Sequence, residues 1–203
     1  MAAPFEALVF DLGNVIVPHD NEFLHRRLVS RCAAQNASER LRLLAHDARF
    51  GTGERSIADL HRQLVAEIGY GGDWACFVGD WSCHLSLDPS MLALVERLAA
   101  NNRVMIFSNT NQEHWDHVIN LSGGAIGRFE AHLSHEIGQL KPSVQSFLTV
   151  AAQAGIAPER SLFIDDAAAN VEGARKAGFQ AELFTGQAAL EAYLTAVGID
   201  LGG

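Results

Sequence analysis

Residues 7–17, Ala-Leu-Val-Phe-Asp-Leu-Gly-Asn-Val-Ile-Val, place a carboxylate at the end of a short apolar run. The run over residues 7–10 has the length of a strand and contains β-branched and aromatic residues without polar alternation. Such a run is typical of a strand that is buried on both faces of a parallel sheet. Because ligands of these sheets bind at the carboxyl ends of the strands, Asp11 is predicted to lie at a ligand site.

Two further apolar runs also end in side chains that carry oxygen. Residues 161–164 lead into Asp165 and Asp166, and residues 104–107 lead into a Ser-Asn-Thr sequence that begins at Ser108. Adjacent carboxylates repel one another unless a cation or a proton lies between them. Together with Asp11, these two aspartates form a cluster of hard oxygen ligands, which suits magnesium better than zinc. The sequence therefore predicts Mg²⁺ as the cofactor.

The order of the predicted elements indicates an α/β fold, a doubly wound Rossmann-like parallel sheet. A small helical insert is predicted after the first strand, so the chain divides into a core of residues 1–17 and 87–203 and an insert of residues 18–86. The predicted strands are 7–10, 103–107, 131–134, 161–164 and 180–184, and the predicted core helices are 88–100, 112–120, 143–154, 167–177 and 187–197. The four helices of the insert are predicted to begin at Asp20 or Asn21, after a Ser38 cap, at Ser56 and at Asp73.

The side chains of the insert are expected to play structural roles. Trp74, Phe77 and Trp81 are predicted to pack inside the insert, whereas arginines such as Arg27 and Arg31 are predicted to lie on a solvated helix face. The sequence therefore does not show which residues of the insert select a substrate.

Composition excludes several classes of function. The formal net charge of the 203 residues is -9, which argues against nucleic-acid binding through a broad basic face. No apolar run approaches the length needed to span a membrane, and the first residues do not resemble a secretory signal. The three cysteines show no metal-type spacing, which is typical of free thiols in a reducing compartment. A cytoplasmic location is therefore expected, and nothing indicates the oligomeric state.

The polar residues after the strands suit phosphoryl transfer. A carboxylate such as Asp11 can attack phosphorus and form an aspartyl-phosphate, which water then opens. Magnesium held by Asp11 and Asp166 would screen the repulsion between this anion and the substrate, and Lys141 would add a second positive charge. Ser108 and nearby backbone amides could donate to the phosphoryl oxygens.

Simpler roles are open for each residue taken alone. Ser108 and Asp165 both suit helix caps, and Lys141 before Pro142 suits an ordinary solvated lysine. The order of these residues, most of them placed directly after a predicted strand, favours a catalytic site.

Four ordered motifs resemble those of the haloacid dehalogenase-like hydrolases. They are Phe-Asp11-Leu-Gly-Asn-Val, Phe-Ser108-Asn-Thr, Lys141-Pro142 and Ile-Asp165-Asp166-Ala-Ala-Ala-Asn170-Val-Glu-Gly-Ala. The resemblance implies a phosphatase that cleaves a small phosphomonoester such as a sugar phosphate, with the insert as a C1-type cap. The motifs are most similar to those of the subgroup that contains the bacterial α-glucose-1-phosphate phosphatase.

The resemblance also implies a role for each matching residue. Asp11, Ser108 and Lys141 would be catalytic. Phosphate would be bound by Ser108, Asn109 and Lys141, and magnesium by Asp11, Asp165, Asp166 and the backbone carbonyl of Gly13.

Gly13 departs from the pattern of most phosphatases of this family, which have an aspartate there as acid and base. Without a side chain, Gly13 cannot transfer a proton, and His19 at the start of the insert is the first alternative donor. Two other functions stay open. One is a 2-haloacid dehalogenase, in which Asp11 would attack carbon without a metal, and the other is a catalytically silent binding module.

Overall fold

The computed structural model describes residues 4–45 and 47–202 of the chain. Its central feature is a five-stranded parallel sheet with the strand order β3-β2-β1-β4-β5. The strands are β1 (Ala7–Phe10), β2 (Val104–Ser108), β3 (Glu130–Leu133), β4 (Ser161–Asp165) and β5 (Gln180–Leu183). The sheet confirms the predicted Rossmann-like α/β fold.

Helices lie between the strands and in the long segment after β1. They are α1 (Asn21–Val29), α2 (Ala37–Ala45), α3 (Ile57–Ile68), α4 (Trp74–Ser82), α5 (Pro89–Ala99), α6 (Gln112–Leu121), α7 (Ser134–Ile137), α8 (Val144–Ala154), α9 (Ala168–Lys176) and α10 (Gln187–Ala196). Short 3₁₀ turns occupy Ala48–Phe50, Ile126–Arg128 and Pro158–Arg160. None of the described helices is long and apolar enough to cross a lipid bilayer.

Strand β1 occupies the centre of the sheet and is buried on both faces. Leu8 and Phe10 pack into one apolar cluster, and Ala7 and Val9 pack into a second cluster on the opposite face. The alternation follows from the two-residue period of a strand. Because β2 and β4 flank β1, the strand order reverses at β1, and in such sheets this reversal opens a crevice at the carboxyl ends of the strands.

Helices α1–α4 enclose a third apolar cluster, which the two clusters of the sheet do not include. Leu28, Leu41, Leu60 and Phe77 are almost completely buried in it. Trp81 also belongs to this cluster, so the predicted packing of Phe77 and Trp81 is confirmed. The prediction is wrong for Trp74, which lies at the first position of α4, is 41% exposed and stands outside the cluster.

Two arginines of the insert are less exposed to solvent than predicted. Buried Asp80 accepts hydrogen bonds from Arg27 Nε at 2.7 Å, from Arg31 Nε at 2.6 Å and from the Tyr70 hydroxyl at 2.8 Å. The side chains of Arg27 and Arg31 are therefore only partly solvated, because each covers a buried carboxylate.

Two further local predictions differ from the structure. Helix α2 begins at Ala37, so Ser38 lies inside the helix and is not its cap. The Ser38 hydroxyl instead forms a hydrogen bond with His25 Nε2 at 2.9 Å. Strand β3 begins and ends one residue earlier than predicted, and the short helix α7 follows it directly. Helix α7 ends at Gly138, whose left-handed φ of 71° suits a residue without a Cβ atom.

Candidate active site

Asp11 lies directly after β1, at the centre of the carboxyl edge of the sheet. Its backbone N–H donates to the Ile164 carbonyl at 2.8 Å, which extends the pairing of β1 with β4 by one residue. Asp11 is buried, with 7% of the residue exposed. The predicted position of Asp11 at the crevice of a parallel sheet is therefore confirmed.

Lys141 forms a buried ion pair with two carboxylates. Its Nζ atom donates to Asp11 Oδ1 and to Asp165 Oδ2, both at 2.7 Å. The same atom lies 5.3 Å from the ring centre of Phe107 and 5.2 Å from that of Phe163, where an ammonium is attracted to the ring faces. Lys141 is 4% exposed, so the alternative of a solvated lysine is wrong.

The side chain of Asn109 holds the backbone of Lys141 in place. Asn109 Nδ2 donates to the Lys141 carbonyl, and the Lys141 N–H donates to Asn109 Oδ1, both at 2.9 Å. Because its side-chain oxygen and nitrogen are both paired with Lys141, Asn109 positions the ammonium group. The contact of Asn109 with phosphate stays a prediction.

Asp165 is fully buried and anchored on two sides. One oxygen accepts from Lys141, and the other accepts from the Ala167 N–H at 2.8 Å at the start of α9. The Asn170 amide donates to both Asp165 oxygens at 3.0 and 3.1 Å. Ala167 is itself the N-cap residue of α9 and no side chain caps this helix, so the alternative of a helix cap is wrong for Asp165, which lies in the acidic cluster.

Asn14 links the loop after β1 to Asp166. Its Nδ2 atom donates to Asp166 Oδ2 at 3.1 Å, and its own backbone is left-handed with φ of 52°. Asparagine tolerates this conformation better than most residues. No role was predicted for Asn14 or Asn170, although both lie within the quoted motifs.

The three predicted carboxylates come together. One oxygen from each of Asp11, Asp165 and Asp166 lies within 4.8 Å of the others. Burial raises the pKa of Asp11 to about 6, Lys141 opposes this effect, and the charge of Asp165 adds to it. Three carboxylates around one ammonium leave an excess of negative charge, so this hard-oxygen cluster fits a divalent cation.

Ser108 and Gly13 line one cavity of about 240 Å³ beside this cluster. Ser108 ends β2 and is 3% exposed, and it does not cap the following helix. The cap of α6 is Asn111, whose side chain accepts from the His114 N–H at 3.0 Å. The alternative of a helix cap is therefore wrong for Ser108.

His19 lies beside Gly13 in the same cavity. A Cβ atom built on Gly13 would lie 3.2 Å from His19 Cε1 and 3.8 Å from Asp11 Oδ2. The His19 imidazole therefore lies next to the space that a side chain at residue 13 would occupy. His84 and His114 line this cavity as well, and no motif or spacing in the sequence indicated them.

The family model of the haloacid dehalogenase-like hydrolases, which describes their common sequence pattern, matches residues 5–178, and these are most of the chain. The chain belongs to this family. Among solved haloacid dehalogenase-like structures, a family enzyme of Bacteroides thetaiotaomicron in complex with magnesium and inorganic phosphate has a TM-score of 0.79 and 24% identity, covering 90% of this chain and 96% of that one. A predicted hydrolase of Porphyromonas gingivalis has a TM-score of 0.82 and 23% identity, covering 98% and 100%.

The similarity of fold extends to haloacid dehalogenase-like proteins with another activity. A 2-haloacid dehalogenase of Pseudomonas syringae pv. Tomato DC3000 has a TM-score of 0.63 and 19% identity, covering 89% of this chain and 86% of that one. Structural likeness at these identities establishes the fold, and the reaction has to be argued from the residues of the site.

Proposed function

We propose that this hydrolase is a magnesium-dependent phosphatase that cleaves a small phosphomonoester through an aspartyl-phosphate on Asp11. The observation that carries the proposal is the position of the Asp11 carboxylate. Lys141 binds one of its oxygens, and the cluster formed with Asp165 and Asp166 surrounds it. A buried carboxylate with fixed orientation at a cation site suits nucleophilic attack on a phosphoryl group.

The two oxygens of Asp11 have different surroundings. Lys141 holds Oδ1, whereas Oδ2 lies toward Gly13, which lines the cavity. We therefore assign the attack on phosphorus to Oδ2. The bond from Oδ2 to phosphorus forms while the ester P–O bond breaks, and the electron pair of that bond leaves with the ester oxygen. Water then attacks phosphorus while the bond from Oδ2 to phosphorus breaks and its electron pair returns to Asp11. Phosphate is released, and one proton of the water ends on the ester oxygen that left.

Ser108 and Lys141 would stabilise the phosphoryl group during both steps. Ser108 lies at the end of β2 beside the cavity, where its hydroxyl can donate to a phosphoryl oxygen. Lys141 balances part of the negative charge that gathers there. Asp11, Asp165, Asp166 and the carbonyl of Gly13 would hold magnesium, which when bound neutralises charge between the nucleophile and the substrate. The phosphate and magnesium in the Bacteroides enzyme support this assignment.

The proposal extends to the insert of residues 18–86, as a C1-type cap over the core of residues 1–17 and 87–203. The first and last residues of the insert lie side by side, since the Ser86 N–H donates to the Pro18 carbonyl at 2.9 Å. The insert also supplies His19 and His84 to the cavity that Ser108 lines. A substrate like that of the α-glucose-1-phosphate phosphatase subgroup and a cytoplasmic location belong to the same proposal.

The 2-haloacid dehalogenase remains the second candidate because its fold is similar. In that reaction Asp11 would attack carbon, and no cation would be needed. Asp165 and Asp166 argue against it, because two further carboxylates would repel both the nucleophile and an anionic haloacid. A silent binding module is supported only by Gly13.

Turnover assays separate these candidates. We expect hydrolysis of 4-nitrophenyl phosphate and of members of a phosphometabolite panel with Mg²⁺, no hydrolysis with EDTA, and a covalent phosphoenzyme on the wild type that Asp11→Asn lacks. Release of chloride from 2-chloropropionate in EDTA would establish the dehalogenase instead. Near-normal hydrolysis by pure Asp11→Asn protein would refute the covalent mechanism.

A further inference from the structure

The cavity lined by Gly13 and Ser108, which we call the reaction cavity, opens toward a second and larger cavity in the insert. This insert cavity has a volume of about 410 Å³ and lies between α1, α2, α4 and α6. It shares the lining residues Asn21, His84 and His114 with the cavity beside Gly13 and Ser108. Its volume falls in the range of small-molecule sites.

A row of aromatic rings runs from the reaction cavity into the insert cavity. The rings of His19 and His84 lie 6.1 Å apart, and those of His84 and His114 lie 5.1 Å apart. His114 then stacks on Trp81 with ring centres 5.1 Å apart and an angle of 14° between the planes. We call these four residues the aromatic wall.

Two histidines of the aromatic wall, His84 and His114, line the insert cavity without adding positive charge to it. Burial lowers the pKa of His84 to about 4 and that of His114 to about 3, so both rings are neutral at pH 7. Burial and the nearby Arg42 also lower the pKa of His25. Arg42 itself pairs with Glu22 at 3.5 Å. Among the described residues that line the insert cavity, no lysine or arginine is therefore left without a carboxylate partner.

We infer that the insert cavity binds the leaving group of the substrate and that the aromatic wall selects an uncharged, ring-bearing leaving group. This inference rests on the proposed phosphatase function. A ring lying along the wall would bury its faces against His84, His114 and Trp81, which is favourable for sugar rings, alicyclic rings and aromatic rings.

A second anionic group on the substrate would be bound poorly. A carboxylate or phosphate in the insert cavity would lose water without gaining an unpaired cation, and burial of such a charge is costly. A neutral polar substituent carries no net charge, so its burial in the same cavity costs less.

A matched pair of esters tests this selection. Cyclohexylmethyl phosphate and its trans-4-carboxylate derivative share a ring and a leaving oxygen of nearly equal basicity, and they differ in one remote charge. With wild-type protein and Mg²⁺ we expect kcat/KM for the neutral ester to exceed that for the charged ester by about tenfold or more. Methyl phosphate, which lacks the ring, should also be a poorer substrate than the neutral ester.

Two substitutions on α2 locate the selection. Ala45 and Leu43 are both exposed, but only Ala45 lines the insert cavity. Ala45→Lys should bring an ammonium to the cavity and reduce the preference for the neutral ester by about fivefold or more. The control Leu43→Lys adds the same charge outside the cavity, so it should keep the wild-type ratio.

Equal kcat/KM for the two ring esters in the wild type would overturn the inference, as would equal effects of the two lysine substitutions. Calorimetric titration of the same esters to Asp11→Asn protein gives the ratio of their dissociation constants without turnover. If no phosphomonoester is hydrolysed by the wild type, the proposed phosphatase function fails. The neutral-to-charged ratio in binding then still decides whether the insert cavity selects as inferred.

Discussion

The Nζ atom of Lys141 lies 2.7 Å from Oδ1 of Asp11, and both residues are buried. This ion pair joins the residue after β1 to a residue from the loop that precedes α8. The same ammonium binds Asp165, so one positive charge compensates two carboxylates. Removing it would leave both buried carboxylates without their main partner.

Lys141→Met is therefore expected to lower stability by ~3–5 kcal/mol, the usual cost of removing one member of a buried pair. Urea unfolding in EDTA measures this change. Lys176, the other lysine of the chain, provides the control, because it pairs with Glu172 on the exposed surface of α9. Lys176→Met should change the free energy of unfolding far less, because an exposed ion pair is screened by solvent. Similar small losses in both variants would show that the buried pair contributes little.

A pH dependence follows from the raised pKa of Asp11. Its pKa is about 6 in the folded protein and 3.8 in the absence of the fold, so the folded state binds the proton more tightly. This contribution to stability is complete below about pH 4 and is lost as the pH rises through 6. In EDTA, the free energy of unfolding of the wild type should therefore fall across this window relative to that of Asp11→Asn. A constant difference between the two proteins would contradict the assigned pKa.

Magnesium binding should depend on Asp166. Asp166→Ala removes one of three carboxylates from the cluster, and we expect a loss of Mg²⁺ affinity of about tenfold or more, measured by calorimetry. Asp116→Ala is the control, since Asp116 is an exposed carboxylate on α6 outside the cluster. Unchanged affinity in Asp166→Ala would remove this residue from the cation site.

The insert is expected to act as a lid that completes the site. Replacing residues 18–86 with a short linker is geometrically simple because the Ser86 N–H donates to the Pro18 carbonyl. The truncated protein should retain more of its kcat/KM for methyl phosphate than for a metabolite identified in the panel. Equal losses on the two substrates, in a protein shown to be folded by circular dichroism, would argue against a specificity lid.

The sheet and the acidic cluster could be predicted because their signals are local. Strands β1, β2 and β4 each contain a run of at least three apolar residues, and a polar residue of the candidate site either ends the strand, as in β2 and β4, or directly follows it, as in β1. Parallel pairing then brings the ends of the strands together without further information. This explains why Asp11, Asp165 and Asp166 were found from the sequence alone.

The contacts that were missed depend on packing between distant segments. Arg27 and Arg31 have the spacing of a solvated helix face, and only the fold brings buried Asp80 from α4 beneath them. His84 and His114 are isolated histidines in the sequence, and they meet because α4 packs on α6. Such long-range contacts have no periodic signature in a single sequence.

The backbone of Gly13 is not left-handed. An aspartate there is therefore not excluded by backbone strain, but its Cβ would lie 3.2 Å from His19 Cε1. The obstacle is a side-chain ring, which can move. Gly13→Asp alone should consequently give a small gain for esters of poor leaving groups, and Gly13→Asp combined with His19→Ala should give a larger one. A general acid typically contributes ~10²–10⁴-fold, which sets the upper limit of this gain.

In the wild type, Gly13 offers no proton to the leaving oxygen, so the rate should depend on the acidity of the leaving group itself. Across a series of aryl and alkyl phosphates, kcat/KM should rise steeply as the leaving-group pKa falls. An anomeric oxygen is more acidic than a primary alcohol, and glucose 1-phosphate should therefore be cleaved faster than glucose 6-phosphate. If the series is flat while chemistry is rate-limiting, another residue donates the proton. A steep series in His19→Ala beside that flat wild-type series would identify His19 as the donor, because its ring lies next to the space left by Gly13.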